Sequence, residues 1–176
     1  MKDGKIIGTL VNQQVAAQDS DLARELYDKG RYGEQKTNKK FHYSLLEALY
    51  LQEKEKMILQ EKKREISPES IVKKAKKEDK NFFIRYSVYR DMRDRGYIVK
   101  TALKFGADFR VYDRGVKPGD DHAKWILYPV HESAFTTWYE FAAKNRVAHS
   151  TRKRLLLGIV DDEGDVTYYE IRWTRP

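Results

Sequence analysis

The feature that most constrains the fold is the apolar run Leu155–Val160, which follows three consecutive basic residues. A run that is apolar at nearly every position is typical of a strand buried on both faces of a sheet. Further strand-like segments alternate with helical patterns around it. The C-terminal part of the chain is therefore predicted to be a mixed sheet flanked by helices. Its other strands are predicted at Tyr97–Thr101, Ala107–Tyr112, Trp125–Val130 and Val166–Trp173.

Two helices are predicted to flank this sheet. Phe82, Tyr86 and Tyr89 recur at helical spacing, and Gly96 ends that helix. We interpret this aromatic stripe as core rather than as a platform for stacking bases. The segment Thr137–Glu140 forms a capping box, which opens a second helix that runs to about residue 150.

The first 80 residues predict a separate α/β module. Short strands are expected between residues 5 and 16, and Ser20 caps a helix that ends at Gly30. The capping box Ser44–Glu47 opens another helix, which is expected to continue to about Glu55. The alternation of glutamate and lysine over Glu53–Lys63 is interpreted as a solvated face with i,i+4 pairs.

A third helix of this module begins at Ser67 and Pro68, since proline is suited to the first helical position. The charge-rich segment Lys74–Lys80 is predicted to be a hinge. It divides the chain into an N-terminal α/β domain, residues 1–80, and a C-terminal catalytic domain, residues 81–176. The predicted fold class is α+β, with two small α/β modules.

The charge of the chain suggests an anionic partner such as nucleic acid. Its 35 Lys and Arg residues exceed its 27 Asp and Glu residues, which gives a formal net charge of +8. The excess is about four positive charges on each side of Phe82, so net charge alone localises no binding face. A chain in which 35% of residues are charged can also reflect solubility or a hot habitat.

Several classes of site are excluded by composition. The chain has no cysteine, which rules out disulfides, thiolate metal sites and a cysteine nucleophile. Its four histidines show no zinc-binding spacing, no phosphate-binding loop is present, and we expect no metal or cofactor. A metal-dependent nuclease has one weak match, Asp121–Lys124, which lacks the second carboxylate. The polar start Met1–Lys5 and the lack of a membrane-spanning apolar run predict a soluble, cytoplasmic protein.

Three polar residues lie where predicted strands begin or end. They are Tyr112, His122 and Lys153, and such ends can converge on one site in a packed sheet. Cleaving RNA without a metal requires a base for the ribose 2′-hydroxyl, an acid for the departing 5′-oxygen, and a positive charge at phosphorus. Histidine suits the acid role, and tyrosine becomes a credible base where cations favour its phenolate. Each residue alone is compatible with an ordinary role in packing or solvation.

Longer motifs identify a family. The segments Phe83–Thr101, Lys104–Tyr112 and Arg146–Lys153 resemble the archaeal tRNA-splicing endonuclease family, as does Ser44–Leu51 more thinly. The C-terminal module is accordingly expected to be restriction-endonuclease-like.

The resemblance implies an activity and roles for particular residues. It implies metal-independent cleavage of precursor tRNA at intron boundaries, usually in a bulge-helix-bulge, which leaves a 2′,3′-cyclic phosphate and a 5′-hydroxyl. By position in the family's motifs, Tyr112 is the general base, His122 the general acid and Lys153 the stabiliser of the transition state.

The resemblance also implies how RNA is held. The family clamps a bulged base between two cationic side chains. Arg146 matches one of them, and either Arg172 or Trp173 is the other.

Assembly is implied as well. Family members of this length form homotetramers or pair with a related structural subunit. The acidic tip Asp120 and Asp121 resembles a loop that inserts into a basic groove of a neighbouring dimer, and the last strand is expected to pair subunits. The alternative is a noncatalytic RNA-binding subunit, against which the retained trio argues.

Overall fold

A computed structural model of the chain describes residues 4–36 and 38–176, without the side chain of residue 105. The polar start is thus described only from Gly4 onward, and Met1–Asp3 lie outside the described residues. The chain divides into two compact units, one ending at Phe82 and the other spanning Phe83–Pro176. Each unit contains a sheet and helices, so the predicted α+β class with two modules is confirmed.

The first unit is a six-stranded sheet with the strand order β3-β4-β2-β1-β5-β6. Strands β1 and β5 pair in parallel and the other pairs are antiparallel. One face of the sheet is buried, and Val15, Phe41 and Leu59 lie in this core. The strands are β1 Ile6–Val11, β2 Gln14–Gln18, β3 Glu34–Lys36, β4 Lys40–Ser44, β5 Met57–Glu61 and β6 Arg64–Glu65, and the helices are α1 Asp21–Gly30, α2 Leu45–Glu53 and α3 Pro68–Glu78.

Helix α2 begins with the predicted capping box. The Ser44 hydroxyl accepts a hydrogen bond from the Glu47 amide at 3.2 Å, and the Glu47 carboxylate accepts from the Ser44 amide at 3.0 Å. Glu47 is buried and also accepts from the amide of Gly33 at 3.2 Å. The same carboxylate therefore fixes both the start of α2 and the turn before β3.

The predicted charged helical face over Glu53–Lys63 is wrong. Helix α2 ends at Glu53, and Glu55 takes a left-handed conformation with φ 56° before β5 begins. Met57 then pairs with Ile6 of β1, and it is buried in the core. Pairing with β1 overrides the helical propensity of the glutamates and lysines, because it buries the apolar residues of β5.

The predicted hinge at Lys74–Lys80 is largely helical. Helix α3 continues to Glu78, with Ile71 and Ala75 buried one turn apart. The lysines between them point away from that buried stripe. Charge density in the sequence therefore marked the solvent side of a helix rather than a flexible link.

Gly8 provides a test of packing in this unit. A Cβ at Gly8 would lie 2.6 Å from Cγ1 of Val15 and 2.9 Å from Cδ2 of Leu59. We expect Gly8→Ala to reduce the free energy of unfolding by about 1–3 kcal/mol, measured by urea denaturation followed by circular dichroism. Thr9→Ala, on the exposed side of the same strand, is the matched control. An unchanged denaturation midpoint for Gly8→Ala would contradict the close packing.

The second unit is a five-stranded mixed sheet with the order β11-β10-β9-β8-β7. Strands β9 and β10 are parallel, and their outer neighbours are antiparallel to them. The two long helices have 13 residues each, and in the described chain no helix is long and apolar enough to cross a bilayer. The elements are α4 Phe82–Asp94, β7 Ile98–Thr101, β8 Phe109–Tyr112, β9 Trp125–His131, α5 Trp138–Ser150, β10 Arg154–Val160 and β11 Val166–Ile171.

Helices α4 and α5 cover opposite faces of this sheet. Ala148 of α5 packs in one cluster with Ile126 and Leu155. The ring of Tyr89 in α4 lies 6.0 Å from that of Phe109, whose side chain is on the other face by alternation. Strand β10 is thus covered on both sides, as its apolar run predicted.

Candidate active site

Three strand ends meet at one edge of the second sheet. Strand β8 ends where β9 and β10 begin, because β8 is antiparallel to β9 and β10 is parallel to it. The Lys124 amide donates to the carbonyl of Val111 at 2.9 Å, and the Arg154 amide donates to the carbonyl of Lys124 at 3.0 Å. Tyr112 and Lys153 therefore lie on either side of Lys124, with Cα atoms roughly 10 Å apart, or two strand spacings.

Tyr112 is buried in an apolar cluster at the end of β8. It is 4% exposed and packs in a cluster with Ile98 and Ala123, against which Val116 also lies. Ile98 is its partner on β7, while Val116 and Ala123 belong to the segment that follows β8. Alternation along β8 accounts for the face of the sheet on which Tyr112 lies. The burial of Tyr112 depends on the segment after β8, which folds back over it.

Arg110 is a neighbour of the trio that sequence analysis did not single out. Its guanidinium carbon lies 5.9 Å from the centroid of the Tyr112 ring. It stands directly opposite Lys100 on β7, and its positive charge also acts on Lys153. The available signal was the alternation that places Arg110 and Tyr112 on one face of β8.

Lys153 is positioned by the end of helix α5. The chain turns at Arg152, which has a left-handed φ of 56°, and the Lys153 amide donates to the carbonyl of Ala148 at 2.8 Å. The Lys153 ammonium donates to the carbonyl of Thr151 at 2.9 Å. Burial, and then repulsion from Arg110, lower the pKa of Lys153 below its ordinary value.

His122 is carried by the loop between β8 and β9. Its side chain is exposed, and its amide donates to the carboxylate of Asp121 at 2.6 Å. The base of the loop is closed by an ion pair of 2.6 Å between Lys124 and Asp113, and this hydrogen bond lowers the pKa of the Asp113 carboxyl. His122 therefore stands at the same edge of the sheet as the strand ends, two residues before the closed base of the loop.

Arg172 and Trp173 are the alternatives for the second group of the base clamp, and they lie on different faces of the sheet. Alternation along β11 places Glu170 on the face opposite Ile171, which packs against the α5 cluster, and Arg172 binds Glu170 on that opposite face. The Trp173 ring lies 4.4 Å from that of His149, one turn after Arg146 on α5. Trp173, rather than Arg172, therefore contacts the helix that carries Arg146.

Arg172 is bound by an acidic residue on the same face of the sheet. Its Nε donates to Glu170 at 2.8 Å, and Glu170 also accepts from Trp125 at 2.7 Å. Burial raises the pKa of Glu170, but hydrogen bonds from Trp125, Arg172 and Arg154 outweigh it and lower that pKa to about 2. Glu170 is consequently ionised at neutral pH and engages the Arg172 guanidinium.

The tip of the β8–β9 loop is acidic and exposed. Asp120 donates its amide to the carbonyl of Lys117 at 3.0 Å, and Asp121 forms an isolated bridge with Pro118. Both aspartates are exposed. Among the described residues, no group of three or more histidine and acidic side chains is arranged to hold a metal ion.

Comparison with known protein families accounts for both units. Residues 82–168 match the model described as tRNA intron endonuclease, catalytic C-terminal domain, and residues 6–72 match the corresponding N-terminal domain. Relatives that align with nearly the whole chain indicate the same family. The chain belongs to the tRNA-splicing endonuclease family.

Three relatives named tRNA-splicing endonuclease illustrate the similarity. The protein of Nanoarchaeum equitans is 49% identical over 138 residues, which cover 75% of this chain and 88% of the relative. That of Thermococcus gammatolerans is 39% identical over 170 residues, covering 97% and 99%. That of Pyrococcus furiosus is 40% identical over 166 residues, covering 94% and 95%.

The match to the family's C-terminal domain contains most of the candidate site. Tyr112, His122 and Lys153 lie inside residues 82–168, and so does Arg146. The tail beyond residue 168, with Arg172 and Trp173, lies outside it. The pairing of β11 with β10 extends to Ile171, immediately before Arg172 and Trp173.

Proposed function

We propose that the chain cleaves precursor tRNA at intron–exon junctions in a bulge-helix-bulge. The observation that carries this proposal is the edge where β8, β9 and β10 meet, with Tyr112 at the end of β8, Lys153 just before the start of β10, and His122 on the loop between β8 and β9. Membership of the tRNA-splicing endonuclease family supports the choice of RNA as substrate. The C-terminal domain predicted from the sequence, residues 81–176, is proposed to be the catalytic domain.

The three side chains supply the parts of an in-line transfer. Tyr112 takes the proton of the ribose 2′-hydroxyl, whose oxygen then attacks phosphorus. The bond from phosphorus to the 5′-oxygen breaks, and His122 donates a proton to that oxygen. Lys153 offsets the negative charge that develops on the phosphoryl oxygens. The products are a 2′,3′-cyclic phosphate and a 5′-hydroxyl, so the reaction is that of an RNA-cleaving lyase.

We propose that this chemistry needs no metal ion. Lys100, Arg110 and Lys153 gather positive charge around Tyr112, and such a cluster repels a divalent cation. Cleavage of precursor tRNA is expected to persist in excess EDTA, with gel analysis of the product ends showing the cyclic phosphate. Abolition by EDTA and recovery on adding Mg²⁺ would contradict the proposal. Cleavage of duplex DNA in preference to bulged RNA would favour a metal-dependent DNA nuclease instead.

Arg146 and Trp173 are proposed to hold a bulged base between them. A guanidinium plane and an indole ring both stack on an extruded base. Arg146 is exposed on α5, and the Trp173 ring lies 4.4 Å from that of His149 on the same helix, at an interplanar angle of 46°. Arg172, held by Glu170 on the other face, is the weaker choice for the second group.

The tail offers a matched pair of substitutions. We expect Trp173→Ala to weaken binding of precursor tRNA by about 5–100-fold, since stacking of one base contributes roughly 1–3 kcal/mol. Arg172→Ala is expected to bind almost normally. Fluorescence of 2-aminopurine placed in the bulge measures both variants. Equal losses in the two, or a larger loss for Arg172→Ala, would reverse the assignment.

The chain is proposed to act as a homotetramer or with a related structural subunit. Strand β11 is at the edge of its sheet and exposes Tyr169, so its free edge can pair with another copy. The acidic tip, Asp120 and Asp121, is proposed to enter a basic groove of a neighbouring dimer. Light scattering of the purified chain, followed by a cleavage assay on the same sample, distinguishes the two assemblies. A fully active monomer would contradict both.

A further inference from the structure

Arg110 is a partly buried cation whose surroundings do not neutralise it. Its Nε atom is buried and makes no hydrogen bond within the described chain. The nearest acidic residue along β8, Asp108, is engaged by Arg85 at 2.9 Å. The described contact of the Arg110 guanidinium is the face of the Tyr112 ring, 5.9 Å away.

The other charges that face Arg110 are positive. Lys100 stands opposite it in the β7–β8 register, and like charges at such a pair are destabilising. Lys153 feels the repulsion of Arg110 directly. Three cations on one face of a sheet therefore approach one another at the edge where β8, β9 and β10 meet.

Folding alone gives no reason to keep this arrangement. A buried N–H group without a hydrogen bond destabilises the folded state, and an apolar side chain of similar length would avoid that penalty. Unfavourable local electrostatics of this kind are characteristic of functional sites, where a ligand supplies the missing charge. A ligand that satisfies Arg110 and Lys153 together must be an anion.

We propose that Arg110 and Lys153 form an anion-binding site that takes the non-bridging oxygens of a phosphodiester. This inference rests on the proposed function and adds a phosphate-binding residue to it. The planar guanidinium offers two parallel N–H groups, which match two phosphoryl oxygens, while the Lys153 ammonium acts as a point charge. Because Arg110 also lies over the Tyr112 ring, a phosphate that it binds is held beside the proposed base.

Replacing Arg110 with methionine separates binding from folding. We expect Arg110→Met to leave the thermal midpoint unchanged or raised, because the substitution removes an unsatisfied buried charge. We expect the same variant to bind inorganic phosphate at least tenfold more weakly by calorimetry, and to cleave precursor tRNA about 10²–10³-fold more slowly under single-turnover conditions. Arg110→Lys keeps the positive charge but lacks the two parallel N–H groups of the guanidinium. Its phosphate affinity and cleavage rate are therefore expected to lie between those of the unmodified chain and those of Arg110→Met.

Arg90 supplies the matched control. Its guanidinium carbon also lies 5.9 Å from a tyrosine ring, that of Tyr86, but on helix α4. Arg90→Met should therefore bind phosphate as the unmodified chain does. A structural role for Arg110 would instead appear as a lowered thermal midpoint in Arg110→Met with unchanged phosphate binding, which would overturn the proposal.

The phosphate measurement is independent of RNA cleavage. If the unmodified chain binds phosphate through Arg110 but cuts no precursor tRNA, the anion site stands and the proposed function fails. If precursor tRNA is cleaved equally well by the unmodified chain and by Arg110→Met, the proposed function stands and the anion site is refuted. Loss of both phosphate binding and cleavage in Arg110→Met supports the two together.

Discussion

His122→Ala is expected to slow single-turnover cleavage of precursor tRNA by about 10²–10⁴-fold, the usual contribution of a positioned general acid. Its affinity for the RNA should remain within a few-fold of normal. The imidazole is exposed, and the loop that carries it is closed by the Lys124–Asp113 ion pair, so its removal leaves the loop and the sheet intact. The loss should therefore fall on the chemical step.

A substrate with sulfur in place of the bridging 5′-oxygen tests the role of the imidazole directly. A thiolate departs without protonation, so His122→Ala should cleave this substrate nearly as fast as the unmodified chain. His131→Ala is the control, since His131 lies at the opposite end of β9 in an ion pair of 3.1 Å with Asp162. Failure of the sulfur substrate to restore cleavage would remove His122 from the acid role.

Lys153→Met is expected to lower the single-turnover rate by about 10²–10³-fold, the range seen when one group that stabilises transition-state charge is removed. Lys144→Met is the matched control, because the Lys144 ammonium lies on α5, 5.6 Å from the Tyr128 ring and away from the strand ends. Both changes are followed by cleavage of the same precursor tRNA. Equal rates in the two variants would contradict the assignment.

The pH dependence of Lys153 provides a second measurement. The lysine must be charged to act, and burial followed by repulsion from Arg110 lowers its pKa. As the pH rises, cleavage should therefore decline at a pH below about 10.4, the value at which an ordinary lysine loses its proton. Removing the repulsion with Arg110→Met should move that decline to higher pH.

The trio substitutions also separate a catalytic from a structural subunit. If Tyr112→Phe, His122→Ala and Lys153→Met each leave the activity of the assembled complex unchanged, the chain is a noncatalytic RNA-binding partner. Large losses in the same assay exclude that alternative.

Local signals in the sequence predicted much of the framework. The capping boxes at Ser44 and Thr137 open helices as expected, since each depends on residues within one turn. The apolar run Leu155–Val160 is the covered strand that it predicted. The positions of Tyr112 and Lys153 at strand ends also follow from alternation and strand boundaries.

Features that depend on distant partners could not be read from the sequence. The segment after Glu53 forms strand β5 because it pairs with β1, some fifty residues earlier, and no local pattern indicates that partner. The burial of Tyr112 depends on Val116 and Ala123 folding back over it. The unsatisfied Nε of Arg110 is likewise a property of the packed sheet rather than of its own segment.

The nearly complete burial of Tyr112 has a consequence for how the enzyme discriminates among RNA molecules. If Tyr112 is the base that we propose, its burial against Val116 and Ala123 means that an RNA must first displace this cover to be cut. Nitration of the phenol by tetranitromethane would accordingly be slow in the resting protein and would accelerate only when a cognate intron opens the cover.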